Sequence, residues 1–228
     1  MPSAAVKALL REAAETEPGE ARSRSTDRFR YEAYELAIRD DLVAPALRFA
    51  IVDLDQPAAA TLSAGGMRLH APRLLPGAGE LTALACGVAT IGARLERRVT
   101  ALCATRAVSL ALALDALGNR CLYLLSRRLQ DRMLAAAHKR GLVLSGELRP
   151  GDPGLDLEAQ ATVLGLANGA AIGVTLTDGL LLRPLKSVSM VLGAGLDLPP
   201  AVWSRCDDCR SRPTCKFVAH PAEISSSA

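Results

Sequence analysis

Aromatic side chains are nearly missing from this chain: three Phe, three Tyr and one Trp amount to 3% of 228 residues. Rings therefore cannot fill its core. Half of the residues are apolar, enough to bury a substantial interior, so Leu, Val and Ala must do the filling. An excess of one charge is missing too. The 27 basic residues face 24 acidic ones for a net charge of +3, and the basic residues are scattered rather than striped, so the electrostatic footprint of a nucleic-acid binder is weak and no nucleic-acid partner is expected. The first turns carry Lys7, Arg11 and Glu12 and lack the apolar run of roughly 7–15 residues that a secretory signal needs. No apolar stretch, Leu81–Ala93 and Ala107–Leu114 included, reaches the roughly 20 residues that span a bilayer. The expected setting is the cytoplasm, with no membrane role. There is no Walker loop or dinucleotide fingerprint, since Gly193-x-Gly195 alone is too little, and His70 and His138 stand without a Cys, Ser or carboxylate at motif spacing. An independent nucleophilic catalyst is not expected.

What is present reads as alternating helices and strands. Ser3 is placed to cap a helix over Ala4–Glu15 with Val6, Leu9, Leu10 and Ala13 on one face. The stretch Thr16–Arg28 reads as a polar linker and Tyr31–Asp40 as a second helix. Leu47–Asp53 is a strand, Met67–His70 an arm of a short hairpin after Gly65-Gly66, and Leu81–Val88 an apolar strand buried on both faces. Helices are expected over Ala93–Leu102 and Arg106–Leu117, stopped by Gly118-Asn119, and over Arg120–Arg140 with Leu124, Leu125, Leu129, Met133 and Leu134 inward. Gly141 follows as a left-handed cap. A strand Val143–Leu148 runs into the turn Arg149–Gly154, Asp156 caps a helix to Ala167, and strands Ile172–Thr177 and Leu180–Pro184 meet at Asp178-Gly179. Beyond Lys186-Ser187-Val188-Ser189, the glycines Gly193 and Gly195 and the prolines Pro199 and Pro200 lead irregularly to the end. The organisation is a helical segment with a polar linker over 1–46, an α+β domain over 47–200 and a cysteine-bearing tail over 201–228.

Cys86, Cys103 and Cys121 lie in apolar surroundings and read as core residues. The tail differs. Cys206 and Cys209 are separated by two residues and Cys209 and Cys215 by five, a spacing that a tight turn can bring to one soft metal centre. Three thiolates suit an iron-sulfur cluster with one position left to another ligand. With His220 they make a Cys3His set suited to structural zinc. Uninvolved thiols on a chain end remain the third reading.

Several motifs, in order, resemble the activation domain of vitamin B12-dependent methionine synthase and its short stand-alone relatives with a three-cysteine tail. They are Thr90-Ile91-Gly92, Asp115-Ala116-Leu117-Gly118, Pro150-Gly151 followed by Gln160, the run Ile172–Thr177, and Pro184 with Lys186-Ser187-Val188-Ser189, spanning about Leu47 to Cys215. The resemblance implies an α+β fold with a twisted, mainly antiparallel sheet flanked by helices. It also implies S-adenosylmethionine as a ligand, cobalamin carried by a partner, and a role in returning that corrinoid to its active redox state. The partner would be a corrinoid-carrying protein or methyltransferase. The chain departs from the family pattern where Glu147 takes an arginine position, Asp152 a tyrosine position and Met190 a glycine position. The residues assigned to the ligand are Arg149, Pro150, Gly151, Ser187 and Ser189. The turn at Arg149 is equally readable as a plain surface turn. The serines, two apart and so on one side of an extended segment with Lys186 on the other, are equally readable as a water-facing edge strand. A metal-stabilised scaffold that kept the fold and lost the cofactor is the competing function.

Overall fold

The computed structural model describes residues 2–15 and 24–200. In chain order these form α1 (Ala4–Glu15), α2 (Arg24–Arg39), β1 (Ala46–Asp53), β2 (Thr61–Ala64), β3 (Met67–His70), β4 (Glu80–Thr90), α3 (Arg94–Ala104), α4 (Val108–Lys139), β5 (Val143–Leu148), α5 (Ala159–Leu166), β6 (Thr175–Leu176), β7 (Leu182–Arg183) and β8 (Ser187–Leu196). Four strands make one antiparallel sheet in the order β1-β4-β8-β5. The pairs β2-β3 and β6-β7 are separate hairpins. This is the α+β architecture, an antiparallel sheet flanked by helices.

Period-2 alternation divides the core between the two faces of the sheet. On one face Ala85, Ala89 and Met190 pack with Leu9, Leu10 and Ala13 of α1, Ala33, Leu36 and Ala37 of α2, Leu95 of α3 and the inner stripe of α4. On the other, Leu84, Cys86, Val88, Leu148 and Val191 pack with Leu62 and Leu69 of the first hairpin and Val163 of α5. Helix α1 begins as its sequence requires, the Val6 amide donating to Ser3 Oγ at 3.3 Å.

Helix α4 departs furthest from expectation. Instead of stopping at Gly118-Asn119 it runs unbroken for 32 residues. Gly118 is a contact point: a Cβ there would stand 2.8 Å from Leu95 Cδ2, so the missing side chain lets α3 lie against α4. The roughly 1 kcal/mol that a mid-helix glycine costs is offset by that packing. Leu125, Leu129 and Met133 point inward as expected, whereas Leu134 is exposed. Among the described residues α4 is the helix long and apolar enough to cross a membrane by length and composition. Its stripe from Ala111 to Ala137 is instead the spine of the first core cluster.

Other differences are smaller. Helix α2 starts at Arg24, inside the stretch read as linker. Helix α5 starts at Ala159 with no side-chain cap, and Asp156 lies before it. The hairpin at Asp178-Gly179 has only two paired residues in each arm. The glycine-bearing segment past Ser189 is regular strand to Leu196, the central partner of β4.

Cys86 and Cys121 are buried, as expected, but Cys103 is exposed on α3. Burial pushes the Cys86 and Cys121 thiols up to about 12. A raised thiol pKa favours the protonated, folded form. Its contribution is complete below the unfolded thiol value of about 8.5 and is lost as pH rises toward about 12. Urea melts should therefore show stability falling steeply through that alkaline window, and a Cys86→Ala, Cys121→Ala variant should show a shallower fall.

Candidate functional site

Strand β4 ends at Thr90 and β8 begins at Ser187, and the two residues face each other in register. Thr90 is buried and its hydroxyl is fully used. It accepts from Ser187 Oγ at 2.8 Å and from the Gly92 amide at 3.1 Å, and donates to the Lys186 carbonyl at 3.3 Å. Ser187 is half-buried. Two residues on, Ser189 is buried and its Oγ accepts from Gln160 Nε2 of α5 at 3.1 Å. Both serines thus look toward the α5 face, and the strand that bears them is interior to the sheet rather than an edge. Ser189→Ala would leave the buried Gln160 amide short of a partner and should cost about 1–3 kcal/mol in a urea melt. The double change Ser189→Ala, Gln160→Leu should recover most of it.

Lys186 turns to the opposite face, as the alternation requires. Its Nζ lies 2.6 Å from Asp115 Oδ1 and 2.5 Å from Asn119 Oδ1, both on α4. Its neighbour Leu185 donates its amide to Glu96 Oε2 of α3 at 2.7 Å. The start of β8 is therefore pinned from α3, α4 and β4 together. This clamp was not found from sequence. Asp115 and Asn119 stand four apart on one helix face, and the signal is visible only once α4 is read through Gly118.

Arg149, Pro150 and Gly151 follow β5, an edge strand. Between Ser145 and Leu148 the register with β8 shifts, and Gly146 takes a φ of 68°, so the strand carries a bulge. Leu148 then faces α5 while Glu147 faces α4, where Gln130 Nε2 donates to Glu147 Oε2. Arg149 donates from Nε and Nη2 to Glu147 Oε1, each at 3.1 Å. The turn closes on itself: the Arg149 amide donates to Asp152 Oδ2 at 2.9 Å, the Asp152 amide to the Arg149 carbonyl at 2.8 Å, and the Gly151 amide to the Leu155 carbonyl at 2.9 Å. Pro150 has no amide hydrogen to give. The turn and the serines share one end of the sheet, but the Arg149 side chain and the serine hydroxyls lie on opposite faces.

An open groove of about 650 Å³ lies at the other end of the sheet, beside Glu80, Leu81 and Pro76, and is lined by none of these residues. Cys206, Cys209, Cys215 and His220 lie outside the described residues. Among the described residues no group of three or more His, Cys, Asp and Glu side chains is placed to hold a metal ion.

No protein-family profile matches the chain, and no curated protein matches it in sequence. Among solved structures it is similar to the MetH reactivation domain bound to AdoHcy, with a TM-score of 0.61 and 11% identity, over 85% of this chain and 77% of that one. The likeness is one of fold.

Proposed function

We propose that the chain is an activation module of the methionine synthase type, working in the cytoplasm on a corrinoid carried by a partner protein or methyltransferase. The observation that carries this reading is the fold likeness to the MetH reactivation domain. It is supported by the sequence motifs that suggested the same family independently, since Thr90, Pro150-Gly151, Gln160 and Ser187 gather at one end of the sheet. That other domain is bound to AdoHcy, so a nucleoside-linked amino acid of this kind is the ligand class proposed here. S-adenosylmethionine, when bound, supplies a methyl group. This chain's part is to hold its carboxylate with Arg149 and its polar groups with Ser187. Ser189, two residues on and on the same face of the strand, is already engaged by Gln160.

For the tail we propose that Cys206, Cys209 and Cys215 hold an iron-sulfur cluster, which would pass single electrons from an external donor toward the partner's cobalt. The alternative is zinc held by these thiolates with His220, a structural role. Anaerobic purification with metal analysis and a visible spectrum separates the two. Iron with a brown absorption is expected, and a colourless protein with stoichiometric zinc ends the relay. The module reading is tested by titrating the chain into a cobalamin-loaded methionine synthase fragment lacking its own activation domain. Complex formation in sedimentation velocity, with a change in the cobalt(II) spectrum, is expected; the absence of any complex contradicts it.

A second reading has one specific observation in its favour. Glu147 holds the Arg149 guanidinium and Asp152 closes the turn, as in a scaffold that kept the fold and gave up the ligand.

A further inference from the structure

The turn after β5 has little left to offer a ligand except one side chain. Its Arg149 and Asp152 amides are bonded within the turn, the Gly151 amide is bonded to Leu155, and Pro150 has none. Recognition of an anion at this edge therefore falls on the guanidinium of Arg149. That group already lies against a carboxylate, Glu147, whose other oxygen is fixed by Gln130 on α4. Glu147 and Arg149, two apart, share a face, and the bulge at Gly146 turns that face toward α4. Both side chains stay about one-quarter exposed, 24% and 28%, at the outer rim of an edge strand. A ligand can reach them from solvent.

We propose that Glu147 is an internal counter-ion occupying the place of a ligand carboxylate on Arg149, so that this edge binds amino-acid-type ligands only by displacing it. The inference rests on the ligand class proposed above and adds a built-in competitor that sets its affinity. A guanidinium satisfies a carboxylate in a fixed fork geometry, so the internal and external carboxylates compete for the same donors. The competition weakens ligands that carry a carboxylate and leaves those without one unaffected.

The test is calorimetry on the full chain with S-adenosylhomocysteine and with 5′-methylthioadenosine, which lacks the amino-acid end. Wild type should bind the two within roughly threefold of each other, because the gain from the carboxylate is offset by loss of the internal pair. Glu147→Gln should bind S-adenosylhomocysteine roughly tenfold more tightly than wild type while leaving methylthioadenosine unchanged, and Arg149→Ala added to it should abolish the gain. A purely structural Glu147 would give weaker binding and a lower melting temperature instead. Equal binding of S-adenosylhomocysteine by wild type and a folded Glu147→Gln overturns this inference and leaves the module reading standing. No binding by either protein overturns both. If Glu147→Gln fails to fold, the wild-type comparison decides alone: a strong preference for S-adenosylhomocysteine over methylthioadenosine would mean Arg149 is already available, and the inference fails.

Discussion

Gly195→Ala is expected to cost about 3 kcal/mol or more, the upper end for overpacking a well-filled interior, and to lower the melting temperature by several degrees at least. A Cβ at this position would stand 1.9 Å from the Glu80 carbonyl oxygen, 2.9 Å from the Glu80 carbonyl carbon and 3.0 Å from Leu81 Cα. Every one of those atoms is backbone of the neighbouring strand, so no rotamer change relieves the clash. The same place carries the register shift of the β4-β8 pair, between Leu81 and Ala83. The two central strands approach there as only a glycine permits, and separating them breaks ladder bonds that hold both core layers. Gly193 is tight in a gentler way, since its nearest atom is the end of the Leu81 side chain at 2.8 Å. Gly193→Ala should therefore cost distinctly less than Gly195→Ala, and equal costs in urea melts would show that the strand approach is not the cause.

Leu129→Ala is the second large effect, expected at about 2–5 kcal/mol because it empties the seam between α4 and the middle of the sheet. Leu129 is fully buried and lies over Gly87 of β4, where a Cβ would meet Met133 Sδ at 2.8 Å and Leu129 Cδ2 at 3.0 Å. Glycine on the strand and a long side chain on the helix fit as one unit. Enlarging Gly87 to alanine in the Leu129→Ala background should recover part of the loss, because the added methyl enters space the leucine has left. The same Gly87→Ala change alone should destabilise. If both single changes cost energy and the pair costs their sum, the two residues do not share the contact and this packing account fails.

These two sites also mark what the sequence could and could not disclose. Elements with a plain hydrophobic pattern were legible: β4 reads as a doubly buried strand because its apolar run is continuous, and α1 as a helix because its apolar spacing follows a cap. The glycines misled. Gly118 read as a helix stop, and Gly193 and Gly195 as irregular chain, because a glycine required for close approach looks in sequence like one required for a turn. Only the partner supplies the difference, Leu95 in one case and the Glu80 backbone in the other. At the candidate site, the opposite facing of Lys186 and the two serines followed from strand periodicity. The placement of Arg149 did not, since the bulge at Gly146 adds a residue and turns Glu147 and Arg149 together toward α4. The ligand residues expected from sequence thus share one end of the sheet but fall on both its faces, Pro150 and Gly151 lying between them at the rim.

That division gives the ligand question its sharpest form, because a ligand bridging Arg149 and Ser187 must wrap the sheet edge around the turn. Titration of the full chain with S-adenosylmethionine in a calorimeter puts it to trial. The module account calls for saturable binding at one site with a micromolar dissociation constant; no heat of binding at millimolar ligand would contradict it and leave the scaffold reading in its place.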